Sequence, residues 1–440
     1  MNAEVRAMKT AAEQGLATEW LEAKDKLPGL ADLREAAFAR FEKAGLPHRR
    51  IEEWKYTDLR ALMREAKPLA PPPEAAAKAK AKDAGRILSD LGARKIVLVN
   101  GHAAPDLSDP FYREDGVSIQ FQSAAFKSGD AWAEPPRGTA LPGDDVTLSL
   151  NTAFQTDGVV IRIAKGMKPA RPIHVAHVVT DKDVAVFTRS RVIVEPGARI
   201  MLVETYEGMG SDDYQVNTAL ELFVGDGAHV DHVKITQEAA AALHLSSLLS
   251  AIGAHARFNA FTYTTGGAVV RNQLFLRFDG EGTLANIRGA TLLNGRQHVD
   301  TTLVADHAAG GCQSREVFKS VLDGESRNVF QGKIIVRQHA QKTDAKMASH
   351  ALLLSDTAEA DNKPELEIFA DDVQCGHGAT AGALDEDLLF YLRARGIPEK
   401  EAEALLIQAF VGEAIEGIEH AGLREALMEA VSGWLAARSV

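Results

Sequence analysis

From Val159 to about Phe369 the chain is built of short apolar runs broken by Gly, Asp and Asn. Val159-Val160-Ile161-Arg162-Ile163 is one such run, and Ile173-His174-Val175-Ala176-His177-Val178-Val179 is another. Both are rich in β-branched residues, which suit a pleated, packed surface. Three later stretches share one form, strand, tight glycine turn, strand. They are 191–203 around Pro196-Gly197, 221–230 around Gly225-Asp226-Gly227, and 274–285 around Gly280-Glu281-Gly282. Glycine suits such corners because it tolerates positive φ and close backbone approach. Many short strands with no long helix between them predict a sandwich, a barrel or a solenoid. Corners of one form at irregular intervals favour a solenoid with loops of variable length.

The flanks read differently. Leu33, Ala37, Phe38 and Phe41 fall on one helical face, and Gly45 stands where a C-terminal cap belongs. Residues 67–82 are mostly Ala, Pro and Lys, and Pro71-Pro72-Pro73 cannot be helix interior, so the stretch reads as a linker. A strand-like run, Lys95-Ile96-Val97-Leu98-Val99, follows. Helix returns after Thr380. Asp385 can cap a helix from Glu386 to Arg393 that starts acidic and ends basic. Gly396 ends it, and Pro398 suits the first turn of the next, whose expected apolar stripe is Ala402, Leu405, Leu406, Ala409 and Phe410. A last helix carries Leu423, Leu427, Val431, Trp434 and Leu435. The plan is a mainly helical region over 1–150, a β core over 151–382 and a helical domain over 383–440.

Composition narrows the function classes. The chain has 440 residues, 45% hydrophobic and 25% charged, the profile of a soluble globular protein. Its 49 basic residues against 61 acidic ones give a net charge of −12. With no basic block, this argues against nucleic acid as the main partner. No apolar run is long enough to cross a bilayer. Met1-Asn2-Ala3-Glu4-Val5-Arg6 lacks a charged-then-apolar leader pattern. Two cysteines in so long a chain do not form a disulfide framework, and the cytoplasm is the simplest compartment.

No phosphate-binding loop, dinucleotide fingerprint, nucleophile elbow or zinc-protease motif occurs. The chain is expected to bind no nucleotide. Its one suggestive pair is Cys375 and His377, separated by Gly376. In an extended strand these two side chains face the same way and can share a metal ion or an iron–sulfur fragment. Two ligands do not close a site, so the rest would come from elsewhere. A small apolar cysteine beside a hydrogen-bonded histidine explains the pair equally well. Cys312 has no His or Cys nearby and reads as structural. His174, His177, His229, His232, His244 and His255 lie in strand-like runs and are expected on a solvent-facing side. The polar alternation of 311–354 likewise reads as one wet face.

Several motifs occur together and in order. They include Phe330-Gln331-Gly332-Lys333-Ile334, Ala340-Gln341-Lys342-Thr343-Asp344-Ala345, Pro364-Glu365-Leu366-Glu367-Ile368, Cys375-Gly376-His377-Gly378-Ala379-Thr380 and Phe390-Tyr391-Leu392-Arg393-Ala394-Arg395-Gly396-Ile397. As a set they closely resemble the SufB/SufD family of iron–sulfur cluster assembly proteins, continuously over about 328–413 and more loosely back to 159. His377-Gly378-Ala379-Thr380 stands where SufB-type members tend to carry His-Glu-Ala-Thr. Leu366-Glu367-Ile368-Phe369 lacks their scaffold cysteine, and Glu53-Trp54-Lys55-Tyr56-Thr57 is SufD-like. The resemblance implies a right-handed parallel β-helix core flanked by helical regions. It implies a non-catalytic scaffold that pairs with a SufB homologue through the β-helix ends and with the SufC ATPase through about 385–411. It implies a transient iron–sulfur cluster or iron shared with SufB, with His377 and Cys375 as this chain's ligands. Self-association of the isolated chain stays open. A β-helix enzyme acting on polysaccharide and a purely structural subunit without metal ligation are the alternatives.

Overall fold

The computed structural model describes residues 8–110, 114–129 and 145–438; residues 1–6, read above for a leader pattern, lie outside them. From Val159–Ile163 onward the chain alternates between two sheets, so each strand between the first and last coils pairs in parallel with the strand one coil before it and one coil after. Val269, His298, Arg327 and Glu359 stack as register partners in one sheet. Ala285, Ser314, Ala345 and Cys375 stack in the other. The result is a parallel β-solenoid of about eight coils. The first coils are closed by antiparallel pairings, Arg94–Val99 with His102–Ala103 and Val117–Phe121 with Val159–Ile163.

The corners are near-periodic where irregular spacing was expected. Gly197, Gly227, Gly282 and Gly311 take positive φ at one corner of successive coils, and His255 and Lys342 fill the same place with φ of 54° and 63°. These two side chains hide the period from a glycine count. Each of the six residues donates its N–H to a carbonyl on the next corner, from Gly197 to Asp226 at 2.8 Å through to Lys342 to Asp372 at 2.7 Å. The corners therefore form a hydrogen-bonded column beside the two sheets. Gly280 is required sterically, since a Cβ there would collide with the Ala254 backbone of the corner below.

One apolar interior runs through the coils, from Ile96 and Leu98 to Met347 and Ala370. The helices cover the outer faces of the sheets rather than the ends of the coil. On one face, Trp20, Phe38, Phe41 and Trp54 pack with Phe187 and Leu245. On the other, the helices Glu399–Ile415 and Ala421–Arg438 pack on Val233, Phe261, Leu292 and Val321. The last helix buries the five residues expected of it. The helix before it does not. It buries Ala402, Ile407, Val411, Ala414 and Ile415, and leaves Leu405 exposed. Apolar residues surround most of that helix, so periodicity alone could not choose its face. Leu33 is likewise exposed while Ala37, Phe38 and Phe41 are buried.

Residues 67–82 are packed against the body. Ala70 N–H donates to Ala185 carbonyl at 2.8 Å, and the short helix Ala75–Lys80 buries Ala77. Among the described residues no helix is long and apolar enough to cross a membrane.

The histidines depart furthest from expectation. His174, His177, His232 and His244 are buried, not solvent-facing. His177, His232 and His244 share strand parity with the interior residues Val175, Val230 and Leu248 and so point into the solenoid. With helices over the outer faces, both faces of these strands are buried, and inside and outside no longer differ in polarity.

Candidate functional site

Among the described residues the strand Gln374–Gly382 is the outermost member of its sheet and pairs only with Asp344–Leu353 beneath it. Glu359–Ile368 occupies the same place in the other sheet. Both are far more exposed than the strands below, and a Cβ on Gly376, Gly378 or Gly382 would meet nothing within 4 Å. None of the described residues covers this end of the solenoid. Pro364 lies in the Glu359–Ile368 edge and removes one N–H from it, which blunts indiscriminate strand addition.

Register fixes where the two candidate ligands point. Cys375 pairs with Ala345 and His377 with Met347, and both partners belong to the apolar interior. Cys375 and His377 therefore project on the inner side of the last coil, as an extended strand requires of residues two apart. Cys375 is half-buried against the core, and His377 is exposed at the open end. Burial pushes the Cys375 thiol pKa up, and Asp344 and Glu316 add to the effect. The free thiol is thus protonated at neutral pH, and a metal would have to displace its proton.

The supporting contacts hold the backbone on both sides of the pair. Lys342 pairs with Asp372, whose N–H donates to Gln341 Oε1 at 2.9 Å. Ser349 Oγ donates to Asn362 Oδ1 at 2.6 Å, tying the two sheets together just below the end. His350 Nδ1 and Thr380 Oγ1 lie 2.7 Å apart. Cys312 is buried in a corner with its thiol directed at Gly280 carbonyl, 3.3 Å away, in keeping with its structural reading.

Among the described residues, no third His, Cys, Asp or Glu lies at mutual ligand distance from Cys375 and His377. The trio that does meet that condition is His229, Asp231 and Glu419. Its carboxylates are already engaged: Arg199 contacts both Asp231 and Glu419, Arg257 contacts Glu419, and Asn259 Nδ2 donates to Asp231 at 2.7 Å. Two guanidinium groups at that position oppose a further cation.

A second polar group of residues lies deep inside the solenoid and was not anticipated. Lys234 Nζ reaches Ser246 Oγ and Asn272 Oδ1 at 2.7 Å each, and His244 Nε2 at 3.0 Å. His244 Nδ1 lies 2.8 Å from Glu238, and His232 Nε2 lies 2.9 Å from Glu204. Burial lowers the Lys234 pKa to about 7, against the pull of Glu204 and Glu238. The network crosses between the sheets through Tyr206 and Thr218, whose hydroxyls are 3.1 Å apart.

Comparison with known proteins places the chain in a family. Residues 177–410 match the SUF system FeS cluster assembly SufBD core domain, and residues 17–175 match the SufBD protein N-terminal region. The chain belongs to the SufBD family. An iron–sulfur cluster assembly SufBD family protein from Synechocystis sp. is 31% identical over 429 residues, spanning 92% of this chain and 90% of that one. The iron–sulfur cluster assembly protein SufD of Escherichia coli is 29% identical over 395 residues, 88% of each chain. SufD of Bacillus subtilis is 23% identical over 353 residues, 80% of this chain and 74% of its own. The chain is thus a SufD homologue with a role in iron–sulfur cluster assembly. The polysaccharide-acting alternative has no support.

Proposed function

We propose that this SufBD family member is a non-catalytic scaffold subunit of the cytoplasm whose open coil end docks against a SufB-type partner. Cys375 and His377 contribute a thiolate and an imidazole to iron or to a nascent cluster at that junction, and the partner supplies the remaining ligands. The carrying observation is the last coil itself, with two soft and borderline donors on its inner side, an uncovered edge and no third ligand nearby among the described residues. The exposed helix Glu386–Ala394 and its neighbour Glu399–Ile415 are the docking site for a SufC-type ATPase, which supplies the nucleotide chemistry.

The test is His377→Ala in a strain lacking the native copy, with co-purification of the SufB and SufC homologues and anaerobic iron and sulfide analysis. The substitution removes one ligand and leaves a backbone held by neighbouring corners. The variant is expected to assemble the three-protein complex with an unchanged melting profile while iron and sulfide in the complex fall at least about tenfold, on the scale of losing a metal-site interaction. Cys375→Ala is expected to do less harm, since the main sulfur acceptor lies on the partner. Normal iron and sulfide in the His377→Ala complex would remove its ligand role. An unfolded variant would make His377 a structural residue.

A further inference from the structure

The last strand is almost bare on its outward side. Cys375 and His377 project inward, so Gln374, Gly376, Gly378, Thr380 and Gly382 alternate outward. Between Cys375 and Gly382, Thr380 is therefore the only outward residue with a side chain. Its Oγ1 is hydrogen-bonded at 2.7 Å to Nδ1 of His350, its register partner on the strand below. Gly376 and Gly378 flank His377 and give the backbone there a large conformational freedom to lose. Among the described residues the strand has one neighbour to hold it, where the inner strands have two.

His350 is a firm post for that bond. The residue before it, Ser349, points inward and donates to Asn362 Oδ1 at 2.6 Å, so the strand Asp344–Leu353 is fixed on both faces at consecutive residues. One rung below His350, in the same outward column, is Lys319. The Lys319 ammonium is buried, pairs with Glu413 and lies 4.4 Å from the centre of the Phe410 ring, both on the helix Glu399–Ile415. That helix therefore packs on the column that ends in Thr380. Burial lowers the His350 pKa, and the Lys319 charge adds to the effect while Glu413 opposes it. The neutral ring can bond Thr380 in either tautomer, since a hydroxyl both donates and accepts.

We infer that His350 and Thr380 are positioning residues of the terminal site, whose hydrogen bond clips the glycine-rich last strand to its neighbour and so holds His377 on the inner side of the open end. This rests on the reading of His377 as a ligand and names what keeps that ligand in place. An extended chain rises about 3.3 Å per residue, so the clip at Thr380 lies about 10 Å along the strand from His377. Neither residue is itself a ligand. Both act through the backbone, as the groups that orient metal ligands commonly do.

The experiment makes two measurements on Thr380→Val, which removes the hydroxyl at nearly constant shape, and on Thr380→Ser, which keeps it. In the purified full-length chain, hydrogen–deuterium exchange read by mass spectrometry follows the peptide spanning 374–382. Exchange there should quicken at least about threefold in Thr380→Val, the scale of one net hydrogen bond in a fraying edge strand, and return toward the original rate in Thr380→Ser. His350→Ala should match Thr380→Val. In the complex with the SufB and SufC homologues, iron and sulfide should fall at least about threefold in Thr380→Val and recover in Thr380→Ser, with assembly and melting profile unchanged. Unchanged exchange in both Thr380→Val and His350→Ala would overturn the clip. Faster exchange with normal iron and sulfide would overturn the positioning role. Equal loss in Thr380→Val and Thr380→Ser would place the effect outside the hydroxyl and overturn it as well. The ligand reading of His377 fails separately, through normal iron and sulfide in His377→Ala.

Discussion

Asp300 shows what one residue does for the fold of this chain. Its side chain is fully buried and ion-pairs with the equally buried Arg271. Thr57 Oγ1 donates to Asp300 Oδ2 at 2.5 Å, Arg271 Nη2 donates to Glu53 carbonyl at 2.8 Å, and the Arg271 guanidinium lies 3.8 Å from the centre of the Trp54 ring. The segment Glu53-Trp54-Lys55-Tyr56-Thr57 is thereby explained as a docking strip that fastens the N-terminal region to the sheet carrying Arg271 and Asp300. A buried pair adds modest net stability, but removing one partner strands the other charge. Asp300→Ala is therefore expected to destabilise the protein by about 3–5 kcal/mol, read from the midpoint of chemical denaturation. Asp300→Asn, which keeps an acceptor for Thr57, should lose less. A loss below about 1 kcal/mol in Asp300→Ala would show that Arg271 finds water or another acceptor.

At the scale of elements, the helix Glu386–Ala394 buries none of its residues, although Asp385 caps it and Leu388, Phe390 and Tyr391 are apolar. Phe390 is 73% exposed. Large aromatic groups concentrated on one surface helix are the anchors that interfaces use. The double variant Phe390→Ser, Tyr391→Ser should change stability by no more than about 0.5 kcal/mol. It should weaken binding of the SufC-type ATPase by at least about tenfold in a calorimetric titration, or about 1.4 kcal/mol. Undiminished binding would move the docking site elsewhere. This helix was legible in the sequence because its cap, its charge polarity and Gly396 agree with one another. The last helix was legible because its apolar stripe is narrow. Ile173–Val179 was legible in extent but not in orientation, since both of its faces are buried. The coil period was hidden by His255 and Lys342, which take a backbone conformation that glycine usually marks. The shared face of Cys375 and His377 could be read from their spacing, as residues two apart in a strand point the same way. The inward orientation of the buried Glu316 could not be read, because the adjacent Arg315 and the later Lys319 make the strand look wet, and only the register with Ile287 and Met347 turns it inward.

For the whole molecule, the polar interior makes stability depend on pH. Burial lowers the pKa of His174, His177, His244 and His307 to about 4 in the folded protein. Opposing groups face two of them, since His244 contacts Glu238 at 2.8 Å and His177 lies 4.0 Å from Glu204, yet desolvation outweighs both carboxylates. In the unfolded chain the same side chains titrate near 6.5. Between pH 6.5 and 4 the unfolded state binds protons that the folded state refuses, so stability falls as pH falls. The contribution is fully present above about pH 6.5 and fades toward pH 4, at roughly 1–2 kcal/mol per histidine between pH 7 and 5. Lys234, lowered to about 7 by the same burial, acts in the same direction at higher pH, adding stability as pH rises from 7 toward 10. Urea denaturation at pH 7, 6 and 5 should therefore show a midpoint that drops progressively; burial raises Glu316 to about 7, so the folded chain takes up that proton over the same window and offsets roughly the share of one histidine. His244→Gln should flatten that slope, because it removes one of the protons taken up on unfolding. A midpoint constant from pH 7 to 5 would mean that these histidines charge inside the folded solenoid, with Glu204 and Glu238 prevailing over desolvation.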